Sequence, residues 1–170
     1  MGYLFPDRPP RHLADALGLP PGSRILAAAA VSGGADWLVA TSLGLGVVAA
    51  DRHEFHPWDL IERISLRREG GLLSITYADT RLTEVFPIQP RDKRFASILN
   101  ERLRASVVEV EHVPAGPGQV AVALRRRPAD QSLYLQELPD ADADSEAAAP
   151  LVRAARARLG EAAGLPTATW

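Results

Sequence analysis

The sequence predicts an α+β protein in which short antiparallel strands dominate and two helices close separate β groups. Three observations carry this. From Ser23 onward, apolar residues alternate with period two between Gly- and Asp-containing separators. Residues 91–104 then place Phe95, Ile98, Leu99 and Leu103 on one helical stripe. Beyond it the two-residue period returns, and a second helical segment ends at Gly164 and Pro166.

Residues 1–22 form a proline-rich lead-in, with Leu13 and Leu17 spaced i, i+4 on a helix of about one and a half turns. Strands are expected at 24–31, 37–41 and 45–50, separated by Ser32-Gly33-Gly34-Ala35-Asp36 and by 42–44. Residues 51–57 read as a polar crossover to a second group at 60–68, 72–77 and 82–86. In that group Leu73, Ile75 and Tyr77 face one way and Ser74 and Thr76 the other. Short strands at this spacing predict a small barrel or sandwich over 23–105, closed by the helix at 91–104. Asp92 in its first turn and Arg102 and Arg104 in its last agree with the helix dipole.

An appended unit, 106–170, is expected to hold strands at 107–113, 119–126 and 132–138. Val108 and Val110 are expected inside, with Glu109 and Glu111 wet. The final helix, running from Glu146 or Pro150 to Ala162, repeats Leu151, Ala155 and Leu159 at i+4 steps.

Composition narrows the chemistry. The 170 residues are 46% hydrophobic, which suits a packed core rather than a disordered chain. With no cysteine, disulfides, thiolate metal sites and thiol nucleophiles are excluded. Nineteen basic and 21 acidic residues give a net charge of −2, so no global basic excess asks for nucleic acid or a membrane. No apolar run approaches the ~20 residues of a membrane helix, and no secretory signal opens the chain. A soluble, cytoplasmic protein is expected.

The segments Trp37-Leu38-Val39-Ala40-Thr41 and His56-Pro57-Trp58-Asp59-Leu60-Ile61, the Gly70-Gly71 hairpin and the helix around Phe95 to Leu103 together resemble a bacterial pleckstrin-homology-like (PH-like) domain. The Pro-Trp-x-x-Ile segment looks like that family's crossover between sheets. With its Leu17-Gly18-Leu19-Pro20-Pro21-Gly22 lead-in, the whole chain is similar to a group of uncharacterised actinobacterial proteins. The resemblance implies a PH-like β-barrel and brings no catalytic residues. The family's basic inositol-phosphate loop corresponds here to residues 32–36, which carry no cation.

Candidate sites follow from charge. His53, Glu54 and His56, with Asp51 and Asp59, form the one local cluster of metal-ligand types. The two histidines would face opposite ways on an extended segment, so a polar crossover is the expectation, with no metal and no cofactor. Arg67, Arg68, Arg81, Arg91, Lys93 and Arg94 are candidate anion contacts, and Arg125, Arg126 and Arg127 form a denser run with the acidic residues 140–146 as counter-charge. No Gly-x-Ser-x-Gly, phosphate loop or dinucleotide motif is present, so no enzyme is expected. The expected role is a non-catalytic binding or adaptor protein that recognises another protein, or a second copy, through strand edges and loops. The uncharged strand at 45–50 is the expected edge. The arginines leave an anionic lipid or phosphate, or nucleic acid and the ribosome, as alternatives.

Overall fold

A computed structural model describes residues 10, 12–31, 34–67, 69, 71–88 and 93–166. The protein is α+β, with three antiparallel sheets and a C-terminal helix. It divides into two compact units, Met1–Leu103 and Arg104–Trp170.

The first unit begins with α1 (His12–Ala16) and continues into β1 (Ile25–Ala30), β2 (Trp37–Thr41), β3 (Gly44–Val48) and β4 (His53–Pro57). These four strands pair in sequence order as one sheet. A 3-10 turn, Trp58–Leu60, leads to β5 (Ile61–Arg67), β6 (Leu72–Tyr77) and β7 (Thr83–Pro87), a second sheet in order. Among the described residues an antiparallel bridge, Val31 to Ile88, joins the far ends of the two sheets. No closed barrel is found among the described residues. The expected barrel is two open sheets with a shared core. Leu38, Ala40, Leu45 and Val47 from the first sheet meet Ile64, Leu73, Ile75 and Tyr77 from the second.

Helix α2 (Lys93–Ala105) contributes Phe95 and Leu99 to that core, with Ile98 and Leu103 partly buried beside them. This is the stripe the sequence predicts. Trp58 sits at the sheet-to-sheet corner, buried, and its indole N–H donates to the Thr41 carbonyl at 3.0 Å. Burying that ring leaves its one donor satisfied, which a large apolar plug with a polar tip requires.

Two expectations on this unit are corrected. Residues 53–57 are a strand, not a crossover loop. His56 pairs with Leu45 and Glu54 with Val47, so their side chains share the face that looks onto the core. In consequence β3 is an interior strand, buried at all five positions and paired on both sides, and offers no edge.

In the second unit β8 (Val107–Ala115), β9 (Gly118–Arg126) and β10 (Leu133–Pro139) pair with β9 in the middle. Helix α3 (Ser145–Ala162) covers one face, where Ala148, Val152, Ala155 and Leu159 pack on Val113, Ala115, Val120, Val122, Leu124 and Leu135. The apolar stripe is therefore carried by 148, 152, 155 and 159, and Leu151 is exposed rather than part of it. Asp144 caps the helix by accepting from the Ala147 N–H at 3.0 Å. At the other end the Gly164 and Leu165 N–H groups reach back to Glu161 and Gly160 carbonyls, with Gly164 at φ +67°. That is a Schellman stop, and Leu165 packs on the same core.

The face of β8 is also reversed from expectation. Val113 and Ala115 lie under α3 and bring Glu111 onto the same side, where Arg158 of α3 pairs with it. Val108 and Val110 consequently point away from α3 and are exposed. The sequence alternates apolar residues on both faces here, so phase alone does not choose between them.

Two four-residue hairpin turns place a non-glycine residue in the left-handed region, Arg81 at φ 60° and Gln131 at φ 63°. The left-handed conformation costs a side-chain-bearing residue about 1–2 kcal/mol. Gln131→Gly is expected to raise stability by about 1 kcal/mol, read as an upward shift in the urea midpoint; an unchanged or lower midpoint would contradict it.

Candidate functional site

The densest polar constellation of the first unit closes one side of its core. Arg52, in the turn between β3 and β4, donates through one guanidinium nitrogen to Glu54 at 2.5 Å and to Glu84 at 2.7 Å. Glu54 belongs to β4 and Glu84 to β7, so one cation ties the two sheets. His56 Nε2 lies 3.2 Å from Glu54, and the His56 ring packs on Tyr77 with centroids 4.2 Å apart. The Tyr77 hydroxyl donates to Glu84 at 3.4 Å.

Electrostatics follow from this geometry. The hydrogen bond from Arg52 holds the Glu54 carboxyl below the usual carboxylate range. Burial, reinforced by the Glu84 charge, pushes the Tyr77 phenol up. Both carboxylates are matched to a cation and the phenol is kept neutral, so the cluster works as a clasp between sheets. Among the described residues no group of three or more His, Asp and Glu side chains is placed to hold a metal ion.

The candidate cations of the first unit lie apart, as the spacing of the two turns suggests. Arg67 ends β5 at the β5–β6 turn, while Arg81 sits in the β6–β7 turn at the opposite end of β6, about 20 Å along the strand. Arg81 lies 3.5 Å from Glu62. Arg94 is exposed in the first turn of α2. Arg68 and Arg91, and the side chain of Lys93, lie outside the described residues.

The run 125–127 divides. Arg125, expected at an ion-paired strand edge, is 1% exposed, and its guanidinium donates to Gln136 at 2.9 Å and Ser106 at 3.0 Å. Arg126 and Arg127 are exposed, and Arg127 stacks over Tyr134 at 4.4 Å. The acidic segment is not their counter-charge. Asp140 accepts from the Gln119 N–H at 3.3 Å, at the start of β9, about 20 Å from Arg126. Asp144 is spent on the α3 cap. Beside Arg127, Asp130 accepts from the Ser132 hydroxyl and amide, which lower its carboxyl.

The exposed apolar side chains have a pattern the sequence does not announce. Among the described residues five large ones are exposed: Leu82, Val85, Val108, Val110 and Leu151. Four of these belong to, or immediately precede, β7 and β8, each of which pairs on one side only among the described residues. Strand order had to be known before they could be found. The clasp was equally hidden, since Arg52 and Glu84 are 32 residues apart and only the alternation Arg52, Glu54, His56 is local.

Compared with known proteins, the chain matches no family model, no curated protein and no solved structure.

The clasp yields a pH dependence with a definite sign. A carboxyl lowered in the folded state contributes stability above its unfolded pKa, and loses it as pH falls through the folded value. Unfolding midpoints of the wild type are therefore expected to drop on acidification below the ordinary glutamate range. Glu54→Gln should flatten part of that fall; an acid limb identical to wild type would remove Glu54 from the account.

Proposed function

We propose that this chain is a non-catalytic binding module that recognises another protein through exposed strand edges, acting in the cytoplasm. The observation that carries the reading is the placement of Val85, Val108 and Val110 on edge strands, with Leu82 immediately before one of them. An edge strand offers a row of backbone donors and acceptors on its outer side, and natural edges are ordinarily guarded by charge or proline. β8 is nine residues long, and two of its outward side chains are valines. An incoming extended segment could pair with that backbone and cover both valines, while Glu109 would favour a partner with Lys or Arg at the facing position. The sequence of elements in the first unit, four strands, three strands and a helix, is consistent with a PH-like module serving as the rigid support.

A second reading rests on Arg126 and Arg127. Both are exposed at the β9–β10 end of the sheet, and the acidic segment expected to neutralise them lies at the other end. A phosphate-bearing ligand, on a lipid surface or a nucleic acid, would bind there with strong salt dependence.

Affinity capture from the native lysate separates these readings. Val108→Lys/Val110→Lys and Val85→Lys, all at exposed positions, should keep the fold and lose the captured protein. Arg126→Ala/Arg127→Ala should leave it bound. Capture that survives both edge variants would sink the edge reading. Capture abolished by nuclease, or retention on phosphatidylserine vesicles that falls with salt and with the arginine variant, would favour the second reading.

A further inference from the structure

The outer face of the first sheet is covered by the chain's own lead-in. Leu13 is fully buried with Val39 and Val48, and Ala16, Leu17, Ile25, Ala28 and Trp37 pack around them. Leu17 lies so close over Gly46 that a Cβ there would collide with its side chain. The face is thus a seat shaped for one ligand, a short helix with leucines at i and i+4.

Helix α1 has five residues, far too few to be helical alone in water. It is helical because it is seated. The connection to β1 is Leu19-Pro20-Pro21-Gly22, reversed by a turn in which the Ser23 N–H donates to the Pro20 carbonyl at 3.0 Å. Gly22 holds φ +83°, as the third position of a type II turn demands. Beyond it, Arg24 is anchored to the β2–β3 turn by the Ser42 hydroxyl and amide. The Pro20–Ser23 turn, with Gly18 at φ +52° just behind α1, sets where the lead-in goes, and its two prolines are equally at home in extended chain.

If that turn opens, the lead-in leaves its own sheet, and an identical seat exists on any second copy. The contacts recovered there are the same ones, so only turn strain and concentration separate the two arrangements. We propose that residues 12–17 exchange between two copies of this chain, forming a dimer in which each lead-in covers the other's first sheet. This inference stands apart from the edge-strand reading above.

Gly22→Ala tests it through the backbone alone, because a Cβ at Gly22 meets nothing within 4 Å. Alanine is strained in the closed turn and relaxed in the open one. The expected gain is about fivefold per hinge, hence about 25-fold in the dimer association constant, read by size-exclusion chromatography with light scattering over a concentration series. Because the chain has no cysteine, Leu17→Cys/Gly46→Cys supplies the only thiols. On oxidation, the closed chain gives a cross-linked monomer and the exchanged chain a covalent dimer on a non-reducing gel. A covalent dimer that increases with concentration and with Gly22→Ala supports the exchange. A Gly22→Ala chain that stays monomeric at every concentration, or a dimer whose 17–46 disulfides all lie within one chain, overturns it.

Discussion

The burial of β3 on both faces is the constraint from which most of the first unit follows. A strand with all five residues buried must have a partner on each side and a cover on each face, since water satisfies none of its backbone. Its partners are β2 and β4. Its inner face, Leu45 and Val47, meets the second sheet, and its outer face is closed by α1. That outer cover comes so near that residue 46 has no room for a side chain. At Gly44 the obstruction is β4 itself, where a Cβ would run into the His56 carbonyl and the Phe55 ring. The Gly-Leu-Gly run, which in isolation looks like a fragment of a phosphate-binding loop, is glycine because two neighbours crowd the same strand.

The same constraint explains the clasp. With β4 in the first sheet, the face that carries Glu54 and His56 is turned toward the core, and polar groups there need partners. Arg52 and Tyr77 supply them, and Glu84 completes the set from the second sheet. The ion pairs are partly exposed, so their net contribution is modest, on the order of 1 kcal/mol. What they add is definition of one spacing between β4 and β7, at a margin where apolar packing has run out.

Local pattern revealed some elements and was mute on others, for reasons that differ by residue. Helix α2 was legible because Phe95, Ile98, Leu99 and Leu103 fit one period and no other. The β5–β6–β7 meander was legible because Leu73, Ile75 and Tyr77 alternate cleanly with polar neighbours. Strand β4 was not, because His-Glu-Phe-His-Pro has the polarity of a loop, and only its partner's burial makes it a strand. The phase of β8 was ambiguous because valines occupy both parities; Arg158, 47 residues later, gives Glu111 its reason to face α3. As to the candidate sites, the arginines were legible as residues but not as places. A 1% exposed Arg125 and an exposed Arg126 are adjacent in sequence and opposite in circumstance.

The burial of Arg125 has a consequence for how the second sheet can assemble. Its guanidinium stays charged at any pH a protein survives, and it is held on the side away from α3 by Gln136 and Ser106. If β9 slipped by one residue against its neighbours, every side chain on it would change faces. The cation would then be moved to the face packed by Val152, Ala155 and Leu159 and parted from Gln136 and Ser106. Arg125 thus adds a polar cost to a slip that already turns Val120, Val122 and Leu124 away from α3, and helps hold the strands in one register.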